Sequence, residues 1–503
     1  DRGRYRMNQI GTQAVGTFSR RSNGKNSFVP EDGGTPIFIA ERNSGHAMDG
    51  DIVRVQVFAK RRGAEPEGEV VEIIESKERV FVGKLQVMKG FAFLVTESKT
   101  LANDIFIPKD KLKGGKDGDK AIARIVQWPE GAKNPMGEVI DILGTAGQNN
   151  AEMHAILAEF GLPYKYPQGV EKAADKISDE ITNEEIAKRE DFRSVTTFTI
   201  DPKDAKDFDD ALSARRLPNG NWEVGVHIAD VTHYVKTESL IDREAFNRAT
   251  SVYLVDRTIP MLPERLCNQL CSLRPDEEKL CFSAIFELNS RAEVVKSHVA
   301  RTVIKSNRRF TYEEAQQVIE TGEGDYKEEI LALNQLAQQL RERRFAHGAI
   351  NFDRYEVKFE IDDEGKPLRV YFKVAKEANK LVEEFMLLAN RTVAEFIGRP
   401  PKGKKAKTFV YRIHELPDPD KMENFAQFIR RFGYKLNTNG SKSDVSKGIN
   451  GLLDKVQGKP EENLIETVAI RSMQKARYAA QDLGHFGLAL QNYCHFTSPI
   501  RRY

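Results

Sequence analysis

The first 145 residues of this chain repeat themselves. Gly16-Thr-Phe is matched by Gly83-Lys-Leu, Ser27-Phe-Val by Ala92-Phe-Leu, Ile37-Phe-Ile by Ile105-Phe-Ile, and Gly50-Asp-Ile by Gly118-Asp-Lys. The offset holds near about 67 residues, which implies two copies of one small domain. Boundaries are expected at 1–78 and 79–145. Within each copy, β-rich runs such as DIVRVQVFA and DKAIARIVQW alternate with Gly, Asp and Lys turns. That pattern describes a small antiparallel barrel.

The second copy carries KGFAFL (Lys89 to Leu94) and DIFI (Asp104 to Ile107). Strand alternation puts Phe91 and Phe93 on one face, where Phe106 from a neighbouring strand can join them. Lys89 shares their parity. These motifs resemble a cold-shock domain, a form of OB-fold whose aromatic strands stack single-stranded bases. The alternative is that the Phe side chains fill the barrel. The first copy is poorer, with only Phe28 and Phe38 in comparable places.

The chain has 503 residues and a net charge of +2. That length calls for three or four domains. The charge neither demands nor excludes nucleic acid; a local basic surface would be needed. No run of about 18 apolar residues suggests a membrane span. Cys267, Cys271 and Cys281 cluster without the paired CxxC spacing of a zinc site, so they read with Cys494 as buried free thiols in a reducing cytoplasm. From 146 to 194 the pattern becomes helical (AEMHAILAEFGLP, then the acidic ISDEITNEEIAKRED), as in a connector.

Then comes IDPKDAKDFDDAL, residues 200–212, with aspartates at 201, 204, 207, 209 and 210. In an extended strand Asp207 and Asp209 point one way and Asp210 the other. For the carboxylates to converge the chain must turn, and Pro202 with the inserted residues allows it. Convergence is worth its repulsion only if a cation offsets it, and hard oxygen ligands favour Mg²⁺ or Mn²⁺. By composition alone a solvated acidic loop is the simpler reading. An EF-hand is a poor fit to the spacing.

The acidic stretch and VGVHIADVTHYV after it resemble the signature of the RNB family of 3′→5′ exoribonucleases. The likeness continues through SVYLVDRTIPMLPERLCNQLCSLRPDEEKLCFS, RFAHGAINFD, LVEEFMLLAN, YRIHELPDP, IRSMQKARY and HFGLALQNYCHFTSPIRRY. It implies a multidomain fold: two N-terminal cold-shock/OB-type β-barrels, then a large mixed α+β RNB catalytic domain over 195–503. In the family that domain continues further and is followed by an S1 domain, so the resemblance implies more chain beyond Tyr503.

The resemblance also implies roles. Asp201, Asp207, Asp209 and Asp210 become the catalytic carboxylates on Mg²⁺ (one or two ions), with Asp209 indispensable to the chemistry. Asp204 has no role and is expected on an exposed loop. Tyr253 and Phe352 match an aromatic pair that clamps the 3′-terminal bases. Tyr312 and Glu384 match positions near the terminal ribose, with Glu383 the alternative to Glu384. Arg501 matches the arginine that steadies the scissile phosphate, with Arg502 as fallback. The implied partner is single-stranded RNA entered from its 3′ end, and the implied protein is a cytoplasmic monomer. Each residue also has an ordinary reading. Tyr253 and Phe352 suit strand packing, Glu384 a solvent-facing helix position, and Arg501 a simple ion pair. His227 and His233 flank Asp230 with the opposite parity, so they read as structural histidines rather than a His–Asp dyad.

Overall fold

The repeated segments fold into two closed five-stranded barrels. The first is built from β1 (Gln13–Ser19), β2 (Lys25–Pro30), β3 (Ile37–Ala40), β4 (Ile52–Val57) and β5 (Glu67–Glu75), in the order β1-β2-β3-β5-β4. The second uses β6 (Val80–Val87), β7 (Phe91–Thr96), β8 (Ile105–Pro108), β9 (Asp119–Gln127) and β10 (Met136–Thr145) in the corresponding order. The computed structural model describes residues 13–20, 25–58, 65–76, 79–96, 101, 103–129, 131–351, 356–362, 365–399, 403, 405–437 and 440–503. Phe352 lies outside the described residues.

The repeat has physical causes. A Cβ on Gly16 would sit 2.2 Å from the Val29 carbonyl oxygen, and one on Gly83 would sit 2.3 Å from that of Val95. Both positions need glycine because the facing strand passes too close. The repeated Gly-Asp pair makes the same turn twice. Gly50 and Gly118 take φ of 83° and 87°, a region open to glycine. The aspartate that follows accepts a backbone N–H three residues back: Met48 to Asp51 at 2.7 Å, Lys116 to Asp119 at 2.8 Å.

Helix α1 (Asn149–Glu159) lays Ala151, Ala155, Leu157 and Ala158 on the second barrel. The chain then divides into two compact units, Asp1–Lys165 and Tyr166–Tyr503. The helical stretch 146–194 is therefore shared between them.

The second unit begins with α2 (Gln168–Asp175) and α3 (Asn183–Ile186) and centres on a seven-stranded mixed sheet. Its strands are β11 (Glu190–Asp191), β12 (Thr197–Asp201), β13 (Asp210–Arg216), β14 (Trp222–Ala229), β17 (Glu278–Leu288), β18 (Val294–Lys305) and β19 (Arg308–Thr311). Their order is β11-β18-β17-β14-β13-β12-β19. The segment between β14 and β17 holds α4 (Val231–Tyr234), α5 (Leu240–Arg248), the hairpin β15 (Val252–Tyr253) and β16 (Thr258–Ile259), and a π-helical turn at Arg265–Leu270.

Alternation divides the strands between two cores. Val224, Val226, Ile228 and Phe286 face α6 (Tyr312–Thr321), α7 (Lys327–Ala346) and α8 (Glu377–Gly398). Ala211, Ala229 and Ile285 face α2, α5 and the π-turn, beside Cys267, Cys271 and Cys281. All four cysteines are buried free thiols, and burial pushes Cys267 up to about 12. The hairpin β20 (Glu356–Ile361) and β21 (Pro367–Lys373) precedes α8, and β22 (Tyr411–Ile413) pairs with β23 (Arg477–Ala479). Helices α9 (Pro419–Arg430), α10 (Lys442–Val456) and α11 (Glu462–Ser472) enclose a third core. Two barrels followed by a mixed α+β body is the architecture read from the sequence. No helix among the described residues is long and apolar enough to cross a membrane.

One polar row crosses the middle of the sheet. His227 bonds Ser213 at 2.8 Å and Ser283 at 2.7 Å, and Ser283 bonds Thr302 at 2.7 Å. Burial pulls the imidazole down to about 3, so it is neutral. Gly225 leaves it room, since a Cβ there would meet the His227 ring at 2.5 Å. Asp230 bonds instead to Arg189 and Thr232.

The barrel geometry can be tested at Gly83. Gly83→Ala is expected to destabilise the first unit by about 1–3 kcal/mol, the usual cost of overpacking. Trp128 and Trp222 lie in different units. Urea unfolding followed by Trp128 fluorescence in a Trp222→Phe background isolates the effect, and an unchanged midpoint would contradict the close approach.

Candidate active site

Strand β12 ends at Asp201 and β13 begins at Asp210, side by side in the sheet, so the acidic loop is the turn between two neighbours. Phe208, in the middle of DFDD, is buried in the core with the cysteines and anchors that loop. Ser272 Oγ accepts the Phe208 N–H at 3.0 Å and donates to the Lys206 carbonyl at 2.8 Å. Arg309 on β19 donates to the carbonyls of Pro202 at 2.5 Å and Lys203 at 2.9 Å. Asp204 lies on the exposed part of the loop.

The four aspartates stand as two pairs. Arg501 binds the first: its Nε is 2.9 Å from Asp207 Oδ2 and 3.0 Å from Asp209 Oδ2, and its Nη2 donates to the Asp207 carbonyl at 2.9 Å. The Ile500 N–H donates to Asp209 Oδ1 at 2.8 Å. Asp201 and Asp210 form the second pair and repel each other. Burial, then Asp210, raises the Asp201 pKa; burial raises that of Asp210 against the pull of Arg501. Asp209 is 1% exposed. Burial pushes it up to about 8, although Arg501 and the Ile500 amide oppose the shift.

Among the described residues no three acidic, histidine or cysteine side chains are gathered into a metal cage. The donors present nevertheless suit a hard cation. They are carboxylate oxygens. One buried oxygen, Asp201 Oδ2, has no hydrogen-bond partner, and Asp209 Oδ2 has only its ion-pair contact with Arg501 Nε at 3.0 Å. A buried anionic oxygen left unsatisfied is costly. An Mg²⁺ beside these groups would offset both the lost bonds and the repulsion.

Two aromatic side chains adjoin the aspartates. Asp201 pairs in register with Thr311, the residue before Tyr312. Thr311 and Glu314 form a capping box that starts α6 there, so Tyr312 enters beside the acidic pair. Its phenol is pushed up by burial and then by Asp210 and Asp201. Tyr253, on the hairpin β15/β16, is 57% exposed. The Ser251 N–H, two residues earlier, donates to the Arg501 carbonyl at 2.9 Å. Tyr253 has Arg501, Asp207, Asp209 and Arg502 as its charged neighbours.

Glu384 has a cation of its own. It is buried on α8 and paired with Arg344 of α7, whose Nε is 3.1 Å from Oε1. Glu383 is the exposed neighbour, 3.6 Å from the same arginine. Burial raises the Glu384 pKa and Arg344 holds it back. Arg502 turns away from the acidic loop and donates to His495 at 2.8 Å. Arg344, Arg309, Ser272 and Asn390 were not picked out from the sequence. Arg344 opens RFAHGAINFD and Asn390 closes LVEEFMLLAN, each a polar residue at the edge of an apolar run.

In the first unit, Phe91, Phe93 and Phe106 point outward from β7 and β8 and touch one another. Their centroids are 5.7 Å (Phe91–Phe93), 5.4 Å (Phe91–Phe106) and 5.9 Å (Phe93–Phe106) apart. The barrel core is filled instead by Ala92, Leu94, Ile105 and Ile107. In the first barrel Phe28 is fully buried.

Barrels of this kind ahead of a carboxylate–arginine site define a nucleic-acid-processing class, and comparison with known proteins makes the class specific. The RNB domain family matches residues 189–503, the cold shock domain 93–167, and the ribonuclease B OB domain 16–73. The chain belongs to the RNB family of 3′→5′ exoribonucleases. It is similar to the ribonuclease R of Thermotoga maritima, at 36% identity over 100% of this chain and 71% of that protein. It is likewise similar to ribonuclease R 1 of Lactococcus lactis, at 36% identity over 95% of this chain and 60% of that one. The fold matches Mycoplasma genitalium RNase R, solved in complex with ribose methylated single-stranded RNA. That match has a TM-score of 0.88 at 24% identity, over 97% of this chain and 77% of the other.

The raised aspartates set a pH dependence. A carboxyl whose folded pKa lies above its unfolded value of 3.8 contributes stability that is complete below that value. The contribution is lost as pH rises through the folded value. In EDTA the melting temperature is therefore expected to fall between pH 5 and pH 8 as Asp201, Asp209 and Asp210 ionise. Mg²⁺ should restore more of it at pH 8 than at pH 5, and Asp209→Asn should flatten the EDTA profile. Thermal melts across that range check it; an Mg²⁺ effect independent of pH would contradict the assignment.

Proposed function

We propose that this chain is a processive, Mg²⁺-dependent 3′→5′ exoribonuclease that releases nucleoside 5′-monophosphates. It acts as a cytoplasmic monomer in RNA turnover, including that of structured RNA. The observation that carries the reading is Arg501 bridging Asp207 and Asp209 next to the unsatisfied Asp201 Oδ2.

Each cleavage breaks the bond between phosphorus and the 3′-oxygen of the preceding nucleotide. Water supplies the new oxygen on phosphorus, and its protons end on the leaving 3′-oxygen and in solvent. Mg²⁺ when bound lowers the pKa of a water and offsets phosphoryl charge. Asp201, Asp207, Asp209 and Asp210 are the residues that would hold it. The Ile500 amide fixes the rotamer of Asp209, and Arg501 places a planar cation where a phosphate can take up its fork. Tyr253 offers an exposed ring to a terminal base, with Phe352 as its partner in the clamp. Tyr312 and Glu384 are the groups to read the ribose 2′-hydroxyl. Phe91, Phe93 and Phe106 supply sequence-tolerant stacking for single-stranded bases, as a degrading enzyme requires.

Two experiments test this. Incubation of 5′-labelled single-stranded RNA is expected to give 3′ shortening with Mg²⁺ and none with EDTA. Nucleoside 5′-monophosphates should appear in the mass spectrum. Asp209→Asn should lower the rate by about a thousandfold or more, on the scale of losing a catalytic group. No metal-dependent shortening would overturn the proposal. In the second experiment, Phe93→Ala should weaken single-stranded RNA binding by about 1–3 kcal/mol, read by fluorescence anisotropy in EDTA. An unchanged affinity would return the triad to a packing role.

A further inference from the structure

Arg501 reaches the acidic loop from a segment that has little regular structure. Residues 493–501 contain one strained position, Ser498 with φ of 67°, where L side chains are rarely found. A turn from the Arg501 N–H to the Ser498 carbonyl at 3.2 Å follows it. Something must hold this segment if the arginine is to stay where the carboxylates need it.

Asn390 is placed to do so. It lies on α8 and is 3% exposed, among the buried Leu387, Leu388, Ala389, Val393 and Ala394. A primary amide in such surroundings is costly unless its bonds are made. Its Oδ1 accepts the N–H of Phe496 at 2.8 Å and of Thr497 at 3.0 Å. Its Nδ2 donates to Thr497 Oγ1 at 3.2 Å and to the Tyr493 hydroxyl at 3.5 Å. Its backbone carbonyl accepts the Cys494 thiol at 3.2 Å. One side chain thus satisfies two adjacent amides just before the strained turn. Beyond that turn, the Ile500 N–H and the Arg501 guanidinium bind Asp209 and Asp207.

We propose that Asn390 is a positioning residue of the hydrolytic site. It fixes the 493–501 segment to α8 so that Arg501 and the Ile500 amide meet Asp207 and Asp209. The catalytic half of this inference rests on the exoribonuclease reading; the structural half does not, and the test separates them.

Hydrogen exchange of the 493–503 region is compared in the wild type, Asn390→Ala, Asn390→Asp and Arg501→Ala. The Phe496, Thr497 and Ile500 amides should exchange at least about tenfold faster in Asn390→Ala. Asn390→Asp keeps the acceptor oxygen, and Arg501→Ala keeps the clamp, so both should stay near wild type at Phe496 and Thr497. In RNA shortening with Mg²⁺, Asn390→Ala should lower kcat by at least about tenfold with KM nearly unchanged. Asn390→Asp should recover most of that loss. In an Arg501→Ala background, Asn390→Ala should add clearly less than its full effect, because the arginine carries most of what Asn390 positions. If Asn390→Ala does not fold, Asn390→Ser takes its place, its hydroxyl being too short to reach both amides. Unchanged protection at Phe496 and Thr497 overturns the proposal, as does a full additive loss in the Arg501→Ala background. If the wild type fails to shorten RNA, the exoribonuclease reading falls while the exchange comparison still decides the clamp.

Discussion

Four carboxylates in ten residues of chain repel one another, and Arg501 is the cation that opposes the repulsion most directly. It touches Asp207 and Asp209 and draws down the pKa of Asp201 and Asp210 as well. The surrounding structure serves this balance from two sides. Phe208, Ser272 and Arg309 hold the acidic loop to the sheet, and α8 holds the segment that carries the arginine. The balance is incomplete, since burial still raises the Asp209 pKa against the pull of Arg501. That residual deficit of positive charge is what a divalent cation can fill.

The two barrels show how one fold can keep its shape and change its surface. The glycines and the Gly-Asp turns recur because closing five strands imposes the same contacts twice. The outward face is under no such constraint. In the second barrel it carries Phe91, Phe93 and Phe106 in mutual contact, whereas in the first the register puts Ser27 opposite Phe38 where the second has Phe93 opposite Phe106, and Phe28 fills the core as Leu94 does. The sheet of the second unit makes the opposite choice and buries its polar row, Ser213–His227–Ser283–Thr302. That row fixes the register of four strands, because a slip by one residue would leave a buried imidazole without partners.

Strand parity and turn chemistry made much of this legible. The repeat pointed to two barrels, alternation put the three phenylalanines on one face, and the acidic spacing called for a turn. Local pattern failed where a side chain's partner lies far along the chain. Glu383 and Glu384 are adjacent on one helix, and only Arg344, 40 residues earlier, distinguishes the buried one. Arg309 meets the Lys203 carbonyl 106 residues away, and Asn390 meets Thr497 across 107. The parity of His227 and His233 had little bearing, because the strand ends at Ala229 and α4 carries His233 off. The roles assigned to the site residues came from family resemblance, since spacing alone left a solvated loop as the simpler choice.

The bond between Arg501 and Asp207 spans 294 residues. At a synthesis rate of about 5–20 residues per second, the acidic loop leaves the ribosome roughly 15–60 seconds before its arginine. During that interval the nascent chain carries the repelling carboxylates without their counter-charge. A ribonuclease is made on RNA, and this topology delays the meeting of Arg501 with the acidic loop, the proposed site, until translation has moved almost three hundred codons past the aspartates.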